Sequence, residues 1–300
     1  MTTRTGTATG GDVDLFYDEC GDPDDPTVLL IMGLGAQMVF WRTEFCEKIA
    51  ARGYRVVRFD NRDAGLSGKL DGTRVGGPPL PVKLLQFFVG RPSSGSPYLL
   101  TDMADDAARV LDHLGVDRAH IVGASLGGMV AQVLAAEHAD RTLSATVVMS
   151  SNNRPFLPPP GVRQIAALLS KPTGTDREDI IASTATRAGV IGSPVFPKPL
   201  EEAVAHATEY FDRCYYPAGF VRQFAAILGT GRLDGYDRRI TARTLVLHGT
   251  HDKLMRPSGG RAVAAAVPGA RLQMVDGMAH DLPVPLWDEI VAALVDHFAA

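Results

Sequence analysis

Short apolar runs separated by helix-length segments constrain this chain more than any other feature of its sequence. Residues 27–32, 119–122 and 244–247 are apolar almost throughout, and each run ends close to a glycine. Strands that are apolar on both faces are typical of parallel sheets covered by helices on both sides. Because parallel strands need long crossover connections, the alternation predicts an α/β fold with a mostly parallel central sheet flanked by helices.

Further segments fit the same alternation. Residues 55–59, 145–149 and 272–275 predict three more strands, and residues 12–18 alternate polar and apolar side chains as a half-buried edge strand does. Helical periodicity predicts helices over residues 41–52, 100–114, 127–137, 257–266 and 286–298. In such a sheet, we expect the functional loops at the carboxyl ends of the strands.

Two regions interrupt the alternation. Residues 152–237 contain no convincing buried strand but four helix-like segments, at 162–170, 180–188, 201–210 and 219–228. They predict a helical cap, or lid, inserted into a core domain made of residues 1–151 and 238–300. The Pro- and Gly-rich stretch 70–97 predicts a loop with a short helix near the cap.

The pentapeptide Gly123-Ala-Ser125-Leu-Gly127 follows an apolar run and precedes a helical pattern. This context is the one that a nucleophile elbow requires, because the turn from strand to helix is so tight that only glycine fits on either side of the nucleophile. The free amides and the dipole at the start of the helix favour a developing negative charge. Ser125 is therefore the candidate nucleophile.

A serine hydroxyl needs a base, and the base needs an acid that holds it in one tautomer. Asp252 follows the strand predicted at 244–247, and His280 follows the strand predicted at 272–275. The order Ser, Asp, His is the one that this arrangement of strands uses. Asp281 is read as a surface or capping residue. The other histidines are read as polar packing or structural residues: His113, His120, His138, His206, His248, His251 and His297.

Acyl transfer also needs donors for the tetrahedral oxyanion. The backbone amide of Leu126, next to the nucleophile, is one candidate, and the amide of Leu34 in the loop after residues 27–32 is preferred over that of Gly33 as the other. Side chains that follow in the same loop are candidates for the acyl pocket, although at helical spacing the apolar ones fit a core equally well. They are Gln37, Met38 and Trp41.

The elbow, the Asp252 and His280 loops and the stretch Asp60-Asn-Arg-Asp-Ala-Gly-Leu-Ser67 together resemble the α/β-hydrolase superfamily over nearly the whole chain. Within it, Met32-Gly-Leu-Gly35, the Arg62–Ser67 stretch and Pro97-Tyr-Leu-Leu-Thr-Asp-Met-Ala104 look like the aclacinomycin methylesterase group and its mycobacterial lipase and esterase relatives. The resemblance implies cofactor-free hydrolysis of carboxylic esters.

Two positions depart from the common family pattern. Many members carry His-Gly where this chain has Met32-Gly33, so hydrogen bonds from that histidine are absent here. Asp63 stands where the common pattern has glycine, a change that the methylesterase group shares. Asp60 and Arg62 are interpreted as a structural clamp of this turn and not as catalytic residues.

Composition excludes several classes of partner. The formal net charge of -4 and the pI near 6.1 offer no overall basic footprint of the kind that nucleic acid or anionic lipid surfaces select. The three cysteines lack the spacing of a disulfide framework, and no His, Cys and carboxylate cluster has metal-ligand spacing. No signal peptide or transmembrane segment is predicted, so we expect a cytoplasmic protein with a small-molecule ester substrate, while peripheral contact with lipid and the oligomeric state stay open.

The predicted reaction is hydrolysis of an apolar or bulky carboxylic ester by a Ser-His-Asp triad through an acyl-enzyme. The same three residues also serve thioester or phospholipid cleavage, carbon-carbon bond hydrolysis and acyl transfer, and the sequence does not separate these reactions. A ligand-binding receptor with slow turnover is the alternative from another class. Dehalogenase and epoxide hydrolase relatives place an aspartate where Ser125 stands.

Overall fold

The central sheet is the framework on which every other element packs. A computed structural model describes residues 3–300 of the chain. Eight strands form one sheet: β1 (Arg4–Ala8), β2 (Leu15–Cys20), β3 (Thr27–Ile31), β4 (Arg55–Phe59), β5 (Ala119–Ala124), β6 (Thr142–Val148), β7 (Arg243–Gly249) and β8 (Arg271–Val275). Apart from β1, each of these strands was predicted from the sequence, with small shifts at the ends.

The order of the strands confirms the predicted fold class. They lie in the order β1-β2-β4-β3-β5-β6-β7-β8. The pairs β1–β2 and β2–β4 are antiparallel, and all the other pairs are parallel. Every residue of β3 and β5 is buried, as expected for strands covered on both faces.

Helices cover both faces of the sheet, also as predicted. The core helices are α1 (Thr43–Ala50), α3 (Leu100–His113), α4 (Leu126–Glu137), α10 (Pro257–Ala266) and α11 (Trp287–Ala299). One hydrophobic cluster joins the sheet to α3 and α4, and a second joins its other face to α1 and α11. A short α2 (Leu80–Phe88) lies inside the Pro- and Gly-rich stretch, where a short helix was predicted.

The prediction that residues 12–18 form a half-exposed edge strand was wrong. The strand occupies Leu15–Cys20 and is not at the edge, because β1 pairs with its outer side. Asp18 and Glu19 are buried, and each carboxylate pairs with an arginine of β4, Asp18 with Arg58 and Glu19 with Arg55. Polar side chains thus mark internal ion pairs here and not contact with water.

Four longer helices and one short helix lie between β6 and β7, in the region predicted to be a cap. They are α5 (Val162–Leu169), α6 (Arg177–Ile191), α7 (Leu200–Arg213), α8 (Pro217–Thr230) and α9 (Asp234–Asp237). A small hydrophobic cluster of their own joins α6 to α7 through Ile181, Ala185, Ala203 and Ala207.

A buried ion pair fastens α8 to the turn after β4. Arg222 donates to both oxygens of Asp63, over 2.8 and 2.7 Å, and the Tyr98 hydroxyl donates to the same carboxylate over 2.9 Å. Asp63 has a φ of 66°, which explains why glycine is common at this position of the family pattern. Burial would raise the pKa of Asp63, but the hydrogen bonds from Arg222 and its neighbours hold that pKa below its ordinary value.

We expect Arg222→Ala to destabilise the protein by about 3 kcal/mol, because the substitution leaves the Asp63 carboxylate buried without its counter-ion. The measurement is the midpoint of unfolding in urea. Arg177→Ala is the matched control, since it breaks the Arg177–Asp212 pair of the same cap, which is exposed to solvent. Equal midpoints for the two variants would contradict the assignment of a structural role to the buried pair.

Candidate active site

Ser125 lies at the sharp turn between β5 and α4. Its backbone has φ 56° and ψ −118°, a conformation that side chains rarely adopt, and its amide donates to the Val148 carbonyl over 2.9 Å. A Cβ at Gly123 would lie 2.0 Å from the Gly127 carbonyl oxygen, and one at Gly127 would lie 2.1 Å from that of Ile31. The glycines on either side of Ser125 are therefore required by backbone contact, as the elbow interpretation predicts.

The loops after β7 and β8 bring Asp252 and His280 to Ser125. His280 Nε2 lies 3.0 Å from Ser125 Oγ, and His280 Nδ1 lies 2.7 Å from Asp252 Oδ2. The other carboxylate oxygen of Asp252 accepts the backbone amides of Leu254 and Met255 over 2.9 and 2.8 Å. The structure thus brings the three predicted residues together in one hydrogen-bonded chain, with the carboxylate held at its far end.

The electrostatics of His280 suit a base. Burial lowers the pKa of His280, but the charge of Asp252 and the hydrogen bond to it outweigh burial, and Asp281 adds to the effect. The pKa of His280 therefore lies above its ordinary value. A neutral imidazole that takes up a proton readily at Nε2 can deprotonate the adjacent hydroxyl.

The two amides predicted as oxyanion donors are free to bind a ligand. Among residues 3–300, neither the Leu34 nor the Leu126 amide has a backbone or side-chain acceptor. The loop after β3 also approaches the nucleophile closely, since a Cβ at Gly33 would lie 3.1 Å from Ser125 Cβ. Two unpaired amides beside a serine hydroxyl form an arrangement that can stabilise an oxyanion.

The three side chains predicted for the acyl pocket lie in the protein interior. Trp41 is 1% exposed and stacks on Phe45 within the hydrophobic cluster under the sheet. Met38 is 2% exposed, and its amide donates to Asp60 Oδ1. Gln37 is 1% exposed, and its amide nitrogen donates to the carbonyls of Tyr210 and Cys214 in the cap. Their contacts are those of core packing and of attachment to the cap.

The cap holds the loop that carries Leu34, a role that sequence reasoning missed. Gln223 of α8 is fully buried; its Oε1 accepts the Gly35 amide over 2.7 Å, and its Nε2 donates to the Arg62 carbonyl over 2.7 Å. The Tyr210 hydroxyl of α7 donates to the Gly35 carbonyl. No local motif marks these residues, because their partners are distant in the chain.

The cap also contacts the loop of the base. Ser193 follows α6, and its hydroxyl accepts the Ala279 amide over 2.8 Å and donates to Asp281. The sequence indicated a surface residue or a helix-capping residue at Asp281. In the structure, Asp281 instead anchors the inserted helical region beside His280. Burial raises the pKa of Asp281, against the hydrogen bond from Ser193.

The remaining polar residues near the site have structural partners. His248 is fully buried and donates to the Met255 carbonyl over 2.6 Å, in agreement with polar packing, and His251 is exposed. Asp60 accepts the amides of Met38 and Leu66, and Arg62 binds Asp106. These contacts agree with a clamp of the turn.

The described residues contain neither a metal-binding group of side chains nor a membrane-spanning helix. Among residues 3–300, no group of three or more His, Cys, Asp or Glu side chains is placed to hold a metal ion. No helix in the same range is long and apolar enough to cross a membrane.

Comparison with known proteins agrees with the fold. Residues 26–189, more than half of the chain, match the family described as alpha/beta hydrolase fold. The chain is 28% identical to rhodomycin D methylesterase DauP of Streptomyces sp. (strain C5), over 97% of each protein. It is also 28% identical to a putative carbamate hydrolase, RutD, of Azorhizobium caulinodans, over 91% of this chain and 90% of that one.

A solved structure gives the same result for the fold. The 2-hydroxy-6-oxo-6-phenylhexa-2,4-dienoate hydrolase of Rhodococcus sp. strain RHA1 superposes with a TM-score of 0.75 at 19% identity and covers the whole of both chains. The resemblance that the motifs indicated is confirmed. This chain belongs to the α/β-hydrolase family.

Proposed function

We propose that the protein hydrolyses carboxylic esters, with Ser125 as nucleophile, His280 as general base and acid, and Asp252 as the residue that orients His280. The hydrogen-bonded chain from Asp252 through His280 to Ser125 carries this proposal. The two unpaired amides beside Ser125 support it, because acyl transfer needs donors at that position.

The reaction follows from the geometry. His280 Nε2 takes the hydroxyl proton as Ser125 Oγ bonds to the ester carbonyl carbon, and the amides of Leu34 and Leu126 donate to the oxyanion. When the intermediate collapses, the carbon–oxygen bond to the alcohol breaks and His280 gives its proton to that alcohol. Water then attacks the acyl-enzyme, again losing a proton to His280, and the acid leaves as Ser125 regains its hydrogen.

For the substrate we propose a methyl ester, or another small alkyl ester, of a bulky apolar carboxylic acid. The similarity to a rhodomycin D methylesterase over nearly the whole chain supports the small alcohol. Phe220 of the cap supports the apolar acid, because its ring packs against Gly35 in the loop that carries Leu34.

A substrate panel tests this proposal. It compares methyl esters of bulky aromatic acids, p-nitrophenyl esters of rising chain length, acyl thioesters, phospholipids and carbamates at matched concentrations. We expect multiple turnovers and the highest kcat/KM on bulky methyl esters. Preference for acetate, for a thioester or for a carbamate would overturn the substrate assignment, and a single turnover on every ester would favour a receptor.

The role of Gln223 gives a separate prediction. Gln223→Ala removes the acceptor of the Gly35 amide, so the adjacent Leu34 amide loses its alignment. We expect kcat to fall about ten- to a hundred-fold with little change in KM. Affinity for a trifluoromethyl ketone, which forms an oxyanion on Ser125, should fall in parallel. Gln164→Ala, in α5 of the cap, is the matched control, because within residues 3–300 the Gln164 side chain hydrogen-bonds only to the Val190 carbonyl. A rise in KM alone would contradict this positioning role.

A further inference from the structure

Helix α2 presents apolar side chains to solvent. Of its nine residues, only Lys83 is buried. The largest exposed fraction is 64%, at Leu85, and five further apolar residues of α2 and its end are more than two-fifths exposed: Leu80, Val82, Leu84, Phe88 and Val89. A helix on a globular protein normally turns its apolar face to the core. This helix turns much of it outward.

A second segment extends the same surface. The Phe156 ring lies 5.3 Å from that of Phe88 in an edge-to-face contact, and the Phe156 amide donates to the Phe88 carbonyl. Phe156 is 69% exposed and has a φ of 61°, which is unfavourable for an aromatic residue. A strained backbone that holds a phenylalanine in solvent indicates a function for that side chain. We call the following seven exposed apolar residues the α2–Phe156 surface: Leu80, Val82, Leu84, Leu85 and Phe88 of α2, together with Val89 and Phe156.

The exposed charges in the two chain segments that carry this surface have one sign. Residues 72–101 and 152–175 contain no Asp or Glu, in a chain that has 34 of them and a net charge of -4. The same two segments hold five exposed cations, Arg74, Arg91, Arg154, Arg163 and Lys171. Under α2, the buried Lys83 ammonium donates to the carbonyls of Gly76 and Ser94, and within residues 3–300 no carboxylate pairs with it. Asp71 directly precedes the first of these segments, and its carboxylate accepts a hydrogen bond from the Tyr216 hydroxyl.

We propose that the α2–Phe156 surface binds anionic lipid bilayers. Exposed apolar side chains can enter the boundary between headgroups and acyl chains, and arginines and lysines in the same chain segments are attracted to a negatively charged membrane surface. A second copy of the chain fits less well, because it would bring the same positive charges against each other. The binding is independent of ester hydrolysis, and it would concentrate the protein where apolar esters dissolve.

Vesicle co-sedimentation of the full chain tests the proposal. We expect binding to phosphatidylcholine vesicles that contain phosphatidylglycerol, weaker binding at high salt, and little binding to phosphatidylcholine alone. The double variant Leu85→Ser, Phe156→Ser and the double variant Arg91→Glu, Arg154→Glu should each bind at least about ten-fold more weakly.

Matched controls separate this surface from general effects. Leu200→Ser with Val221→Ser removes two exposed apolar side chains elsewhere, and Arg52→Glu with Arg261→Glu reverses two exposed charges elsewhere. Both controls should bind anionic vesicles as the parent does, and all four variants should retain the circular dichroism spectrum and the turnover of a water-soluble ester.

Three results would overturn the proposal. They are no binding to anionic vesicles, equal binding to neutral ones, and equal losses in the test and control variants. Sedimentation equilibrium without lipid gives a fourth: a dimer that the Leu85→Ser, Phe156→Ser variant abolishes would assign the surface to a second copy of the chain. Ester turnover that is lost while vesicle binding persists would contradict the proposed function and leave the lipid surface standing.

Discussion

Replacing Ser125 with alanine is expected to lower kcat for ester hydrolysis on the order of 10⁶-fold, because Ser125 carries the only hydroxyl within residues 3–300 that hydrogen-bonds to His280. The fold should persist. Within residues 3–300, the Ser125 hydroxyl hydrogen-bonds only to His280, so its removal leaves no buried backbone group without a partner. Alanine also meets the same backbone strain as serine. The measurement is steady-state turnover of a methyl ester, with circular dichroism as the test of folding.

Covalent labelling makes the same prediction independently of the substrate. A fluorophosphonate should modify the parent protein once per chain, at Ser125, and should not modify Ser125→Ala. Ser94→Ala is the control, because Ser94 is exposed and only its backbone carbonyl makes a contact, with Lys83. Residual turnover of Ser125→Ala above about a thousandth of the parent rate would contradict the assignment of the nucleophile.

Asp252→Asn is expected to lower kcat about 10⁴-fold while the site keeps its shape. The reason lies in how Asp252 is held. Its Oδ1 accepts two backbone amides, so the single carbonyl oxygen of an asparagine must occupy that position. The NH₂ group then faces His280 Nδ1, where a hydrogen-bond acceptor stood. His280 would therefore carry its proton on Nε2, towards Ser125, and could not act as the base.

The pH dependence provides a second readout of the same substitution. The active form of His280 is neutral, so activity of the parent should fall as the pH drops through the raised pKa of His280. Removing the Asp252 charge should move this acid limb to lower pH, because burial lowers the pKa of His280 and the carboxylate that raises it is then absent. Asp276→Asn is the control, since Asp276 is exposed and bonds to Thr250. An unchanged acid limb in Asp252→Asn would contradict the electrostatic role of Asp252.

Much of the fold was predictable from the sequence, because the signals that determine it are local. Wholly apolar runs indicated the buried parallel strands, and helical periodicity indicated the helices on both faces and in the cap. The elbow was predictable for a similar reason: Gly123 and Gly127 are needed wherever a strand turns so sharply into a helix, and that requirement lies within five residues.

Local signals failed where side chains found partners far along the chain. Asp18 looked like part of the solvent-exposed face of an edge strand at residues 12–18, but Arg58 of β4 pairs with it. Local signals also left open whether Trp41 and Met38, which follow the loop that carries Leu34, line a pocket or pack in the core, and the structure buries both. Periodicity reports that a side chain alternates between faces, and it does not report what covers either face.

The sequence by itself determined the strands other than β1, the elbow, and the order of nucleophile, acid and base. Only the tertiary structure decided how the cap meets them: Gln223 on the Gly35 amide, Ser193 on the loop of His280, and α2 with its apolar side chains in solvent. The physical reason is range. Backbone sterics and periodicity act over a few residues, whereas a hydrogen bond between residues 188 positions apart exists only after the chain has folded.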